Sequence, residues 1–253
     1  MKTVLSRPAV ASVFFAVALT GCATKIAGLK QSPTFTFPAI AQGKMAVGGV
    51  AAASALLDEG KRTSYANLLR TELLEERKEY NIAPVGNVVN RLGRQQYQTM
   101  ISELANTGTI GDQSLSALRS KMADTRYVTF ALIEHDEVTN DRRENHSTDK
   151  DGRVVAGSEK VVASAQRNVT ASLHVYDLKS GEVAFTGAVT KSLSDSRQYD
   201  KENDSGLVSV IKAIKGDASA PVDAKYPYPA APDTMKVLAK VFSGFGENLP
   251  KAE

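Results

Sequence analysis

The chain has 253 residues, 31 Lys and Arg against 28 Asp and Glu, a single cysteine and 42% hydrophobic residues. That length and apolar content can build one sizeable domain or two small ones. The near balance of charge excludes the clustered cationic footprint of a nucleic-acid binder, and a lone cysteine excludes a disulfide within the chain.

Lys2 and Arg7 open the chain as a positive n-region, and Ala9 to Leu19 follow as an apolar run. The run is too short for a membrane-spanning helix, which needs about 20 apolar residues, so residues 1–21 read as a removable secretion signal. Its end, Leu19-Thr20-Gly21-Cys22, is similar to the lipobox of bacterial lipoproteins. That resemblance makes Cys22 the lipidated first residue of the mature protein. Removal of Lys2 and Arg7 with the signal lowers the formal charge from +3 to +1. Ala23 follows Cys22 where an aspartate would resemble the inner-membrane retention signal, which favours the outer membrane, with the domain facing the periplasm. No other run of about 18 apolar residues occurs, so no helical span is expected.

Residues 22–42 read as a lipid-anchored flexible tether, because Pro33 and Pro38 interrupt any period; stretched out, some 20 residues reach about 65–70 Å at most. Residues 43–253 then form one periplasmic α/β domain. Gly43–Ala53, apolar with Gly48-Gly49 inside it, reads as a buried first strand with close backbone approach. Tyr65, Leu68, Leu69, Leu73 and Leu74 predict a helix over Arg62–Glu79 with Glu72, Glu75, Glu76 and Lys78 on its wet face. Asn81–Val85 is a short strand. Val88–Asn106 predicts one helix, ended by Gly108 and Gly111, and Asp112 is positioned to cap the next, through Leu115, Leu118 and Met122.

The period then changes. Arg126–Val138, with the run Tyr127–Ile133 at its heart, predicts a central strand buried on both faces. Val169–Tyr176 alternates cleanly, Asp177–Gly181 turns, and Val183–Leu193 returns. Ser205–Lys215 predicts a helix, residues 216–232 a proline loop, and Asp233 the cap of a last helix carrying Met235, Leu238, Val241, Phe242 and Phe245. The order β-α-β-α-α-β-β-β-α-α predicts a mixed α/β fold: a central mixed sheet with an antiparallel half, flanked by helices.

No catalytic constellation emerges. In the polar window Asp141–Lys160, aligning Gly152 with the invariant glycine of an EF-hand puts Ser147 and Ser158 at the two terminal ligand positions, where carboxylates are required. The window therefore reads as a long solvated hairpin loop, with partner binding as the alternative. His135, His146 and His174 lack metal-ligand spacing. Ser209 and Lys212 have Ser-x-x-Lys spacing without the accompanying Lys-Thr-Gly or Ser-Asp-Asn. Gly244-Phe245-Gly246 lacks the rest of a dinucleotide fingerprint, and Glu75-Glu76 belong to an exposed helix face. No cofactor or metal is implied.

Four segments carry a wider resemblance: the strand near Met45–Val50; the helix ending Leu73-Leu74-Glu75-Glu76 before Tyr80–Val85; Ala123–Phe130; and the hairpin Leu173–Glu182. Over about residues 43–195 they resemble the superfamily of penicillin-binding-protein activator lipoproteins, curli-type secretion channel lipoproteins and flagellar outer-membrane lipoproteins. The resemblance implies a non-catalytic lipoprotein, held in the bilayer through acylated Cys22, whose domain binds a protein of wall synthesis, flagellum or secretion. The 139–160 loop and the 216–232 loop are the candidate contact surfaces. One alternative is a homo-oligomer, as a ring-forming subunit of an outer-membrane secretion channel. Another is an enzyme lacking any recognisable motif. Two departures stand out: the tether is short beside the leash of the activators, and Val169–Tyr176 and Val183–Leu193 are needed for the domain's own core rather than for a barrel.

Overall fold

A computed structural model describes residues 24–53, 57–155, 157–201 and 225–252. The signal over 1–21, Cys22 and the helix expected at Ser205–Lys215 lie outside them. In chain order the elements are β1 (Ala27–Gln31), α1 (Phe37–Gly43), β2 (Met45–Ala52), α2 (Glu59–Glu76), β3 (Ile82–Ala83), α3 (Val85–Leu92), α4 (Arg94–Thr107), α5 (Asp112–Lys121), β4 (Tyr127–Asn145), β5 (Lys160–Asp177), β6 (Glu182–Asp200) and α6 (Thr234–Asn248). The strands form one mixed sheet in the order β1-β6-β5-β4-β2-β3. β2 is parallel to β3 and β4, while β4, β5, β6 and β1 run antiparallel in turn. The mixed α/β fold with an antiparallel half is the one the sequence predicts.

Every residue of β2 is buried, as befits a parallel strand covered on both faces. Gly48 is where the strand must be bare: a Cβ there would stand 2.1 Å from Phe130 Cζ. The ring of Phe130, edge-on to Tyr176 at 6.0 Å, fills that space instead. Helices flank the sheet, α2 and α6 packing together, α2 on β2, α6 across β5 and β6, and α3 and α4 on β2.

α2 begins three residues earlier than expected, because Asp58 accepts a hydrogen bond from Lys61 N at 2.8 Å and so caps the helix. Tyr65, Leu69 and Leu73 face inward as their spacing requires. The single helix expected over Val88–Asn106 is two. Gly93, at φ +84°, takes a left-handed conformation open chiefly to glycine and turns α3 into α4. Gly111, not Asp112, holds the cap position of α5; Asp112 lies in the first turn, where the helix dipole favours a carboxylate.

The flexible tether expected over 22–42 is corrected wherever those residues are described. β1 pairs with β6 through Ala27↔Ala188 and Gln31↔Phe185, and Phe35 and Ile40 are 0% and 2% exposed. Phe35 is wedged between the rings of Tyr127 (5.1 Å) and Phe185 (5.9 Å). Pro38 is no breaker, since it occupies the first turn of α1, whose N–H groups have no intrahelical acceptor. Described residues from Thr24 to Gln42 thus belong to the packed domain.

A buried arginine closes the other end of the chain onto the core. Arg77 is 4% exposed, and its guanidinium donates to the carbonyls of Glu247 (2.6 Å) and Leu249 (2.9 Å). Tyr80 Oη donates to the Pro250 carbonyl at 2.6 Å. Glu247 and Leu249 stand at the end and cap of α6, where carbonyls lack intrahelical partners, and Arg77 satisfies both.

Candidate functional site

β4, β5 and β6 are all longer than the sequence suggests, and their extra length builds the most distinctive feature of the molecule. β2 stops pairing with β4 at Ala52↔Ile133, and a register irregularity follows between Ile133 and His135. β1 stops at Ala188. Beyond these points β4 runs on to Asn145, β5 starts at Lys160 and β6 ends at Asp200, with the ladder intact from Asn145↔Lys160↔Asp200 inward. A three-stranded arm projects about 40 Å at the usual rise per residue. Residues 139–145 and 160 are therefore strand, not part of a loop, and the described residues between them form an irregular tip.

One face of the arm carries Val161, Ala163, Ala165 and Val169, all buried. A strap formed by residues 225–233 is tied to the same face, through Arg142, the cross-strand partner of Ala163, and Tyr199, the partner of Val161. Arg142 Nη2 donates to the Tyr226 carbonyl at 2.7 Å, and its guanidinium stands 4.4 Å over the Tyr228 ring. Tyr199 Oη donates to the Pro227 carbonyl at 2.6 Å, its ring 5.9 Å from that of Tyr226. Arg167 joins the strap to the arm's base: Nε donates to the Pro232 carbonyl at 2.7 Å, and Nη1 to Thr234 Oγ1 (2.7 Å) and both Asp136 oxygens (2.7 and 2.9 Å). Asp233 caps α6 as predicted, accepting from Met235 N at 2.8 Å. The two contact surfaces nominated from sequence, 139–160 and the described part of 216–232, are thus parts of one assembly.

The opposite face is polar and open. Thr139, Asp141, Asn145, Ser164, Gln166 and Ser194 help line a trough of about 480 Å³, with no large apolar side chain but Val162. An antiparallel sheet commonly leaves one face to water in this way. The arm's edges are exposed too: among the described residues no strand pairs with β4 beyond Ile133 or with β6 beyond Ala188. Ion pairs lace the arm's far end, Lys160 with Asp200 and Lys201 with Glu144.

At the tip, Asp149 Oδ1 accepts from the backbone N–H of Asp151 and of Arg153, both at 2.9 Å. Ser147 N donates to Ser158 Oγ at 3.0 Å. The two serines at the terminal EF-hand positions thus tie the turn shut with neutral hydrogen bonds. The histidines are not brought together. His135 and His146 are exposed, while His174 sits in the sheet with Ser172 Oγ 3.2 Å from Nε2 and Thr186 Oγ1 3.4 Å from Nδ1. Burial holds the His174 imidazole below its ordinary range, with the Glu134 charge pulling it partly back. Among the described residues no three His, Cys, Asp or Glu side chains are grouped to hold a metal. Glu76 of the Glu75-Glu76 pair accepts from Ser243 Oγ at 2.8 Å, a structural contact between α2 and α6. No helix among the described residues is long and apolar enough to cross a membrane.

Sequence reasoning misses the arm because its inward face uses alanines with polar neighbours. The available signal is the alternation Val161-x-Ala163-x-Ala165, with Tyr226-Pro227-Tyr228-Pro229 as its cover.

No protein-family profile matches the chain, and no curated protein matches it. Among solved structures it is similar to the PelC dodecamer from Paraburkholderia phytofirmans, at 15% identity over 89% of this chain and 96% of that one, with a TM-score of 0.36. It is also similar to lipoprotein GNA1162 from Neisseria meningitidis, at 13% identity, 69% and 96% coverage and a TM-score of 0.28. For the LpoB C-terminal domain from Salmonella enterica the values are 12%, 62% and 88%, and 0.30. At such scores the likenesses assign no residue role here.

Proposed function

We propose that this chain is a non-catalytic outer-membrane lipoprotein, anchored through acylated Cys22, whose periplasm-facing domain binds a protein of a cell-envelope assembly through the β4–β5–β6 arm. One observation carries the reading: β4 and β6 outrun their neighbours, so each offers a row of backbone donors and acceptors to an added strand. Strand addition of this kind derives affinity from main-chain hydrogen bonds and specificity from alternate side chains. Soluble proteins do not leave long edges unguarded without charges. Here Glu134, Asp136, Asp141 and Asp195 stand along them, which discourages indiscriminate pairing and suits a partner of matching charge.

A photo-reactive residue at Thr139 or Gln198 tests this in living cells. A single envelope protein cross-linked at both arm positions, and absent with the probe at Gln95 on α4, is the expected result. Adducts at Gln95 alone would sink the assignment. Separately, Cys22→Ser should release a folded domain from membranes, and its retention there would contradict the anchor.

The two edges, unpaired among the described residues, lie on opposite sides of the arm, which also favours a second reading. An edge of one copy against the other edge of the next is a head-to-tail contact, the kind that closes into rings. Sizing the mature protein separates the two: a ring of many copies supports a secretion-channel subunit, and a monomer or dimer supports the adaptor.

A further inference from the structure

The start of the described chain is clasped rather than loose. Thr24 N donates to Glu247 Oε2 at 2.7 Å, Asn248 Nδ2 donates to the Thr24 carbonyl at 3.0 Å, and Lys191 Nζ donates to Thr24 Oγ1 at 2.9 Å. A Cβ at Gly244 would stand 2.8 Å from the Thr24 methyl, and one at Gly187 would stand 2.6 Å from Ile26 Cγ2. Two glycines therefore make a bed between α6 and β6 into which residues 24–26 fit. Desolvation pushes the Glu247 carboxyl up, but the hydrogen bonds from Thr24 and the charges of Lys191 and Arg77 outweigh it and hold the group below its ordinary value. The clasp is thus made by a carboxylate.

Only Ala23 separates Cys22 from Thr24. Two residues of chain reach about 7 Å when fully extended. We propose that the domain is seated directly on the bilayer without a leash, the face around Thr24, Lys25 and Lys191 lying against lipid headgroups. This rests on the acylation of Cys22 proposed above, and it adds which surface meets the membrane and what it meets there. The reach of the chain is below the screening distance of about 8 Å at physiological salt, so the exposed Lys25 and the half-exposed Lys191 act on lipid phosphates directly. On α6, Lys240 lies one turn before Gly244 and on the same stripe, adding a third cation to the seat.

The test uses mature acylated protein, purified from membranes and reconstituted into phosphatidylethanolamine–phosphatidylglycerol vesicles carrying a headgroup-attached nitroxide. A fluorophore is placed through Lys25→Cys, or through Lys179→Cys in the β5–β6 turn, about 30 Å back along β6 from Lys191. With Cys22 blocked by lipid, each variant takes up one fluorophore. Quenching at position 25 at least threefold stronger than at 179 is expected. A spacer of twenty Gly and Ser residues inserted between Ala23 and Thr24 should erase that difference while leaving the protein in the membrane. Equal, weak quenching at both positions in singly labelled protein overturns the seat, as does a difference the spacer fails to change. Uptake of two fluorophores would instead show Cys22 unacylated, which removes the anchor itself.

Discussion

Strand β4 is buried from Tyr127 to Ile133 and exposed from His135 to Asp141, so one continuous strand belongs to two different environments. Its first half lies between β2 and β5, with Phe130 filling the space over Gly48. Among the described residues its second half has one strand neighbour, β5, and Arg142 on it holds Tyr226 and Tyr228. The body is held by apolar contact that neighbours on both sides reinforce. The arm is held by a hydrogen-bonded ladder and a few polar clasps, each of which contributes modestly. Regions of the second kind open locally at lower free energy than the molecule as a whole unfolds.

Removing a side chain from the body should therefore cost most. Phe130→Ala leaves a cavity beneath β2 and is expected to lower unfolding stability by about 3–5 kcal/mol, read from the shift in a urea transition. Arg77→Met comes next. It strands the half-buried carbonyl of Glu247 and the buried one of Leu249, and a loss of about 2–4 kcal/mol is expected in the same measurement. A loss under about 1 kcal/mol would mean that water replaces the guanidinium, and that α6 is held by packing alone.

Cutting a clasp of the arm should do much less to global stability. Tyr199→Phe removes the bond to the Pro227 carbonyl and is expected to cost about 1 kcal/mol or less. Amide exchange should nevertheless quicken within 134–145, 160–168 and 190–200 while the body stays protected. Uniform quickening everywhere would abolish the distinction between the two regions. The smallest effect belongs to His174. Its folded-state value lies below the ordinary 6.5, so the unfolded chain binds the proton first as the solution is acidified. Stability is full above the ordinary value and declines as pH falls through it toward the folded one. Comparing urea midpoints at pH 7.5 and 5.5, His174→Gln should show a shallower decline than the parent chain.

The body was legible in the sequence because local patterns report it. Tyr65, Leu69 and Leu73 repeat at helical spacing, and the run from Tyr127 to Ile133 has no polar residue but Thr129. What escaped local reading depends on residues far apart. Arg77 looks like one more charge at the end of an acidic helix, and its partners Glu247 and Leu249 stand at the opposite end of the chain. Pro38 suggests an interruption where it begins a helix; the neighbouring Phe35, wedged between Tyr127 and Phe185, is the better guide. The arm's inner face holds alanines, on the side that the strap from residues 225–233 crosses. The open edges are harder still, since an edge is a property of where other strands stop.

The continuity of β4 and β5 through the base of the arm also has a mechanical meaning. With a single irregularity near His135 and no loop, the arm cannot swing like a hinged flap. A binding partner that tugs on it along the strand axis delivers tension straight into the interior. Many rungs then resist together in shear, instead of giving way one after another as in peeling. An anchored protein gripped at this site would transmit traction between its membrane and the partner with little slack.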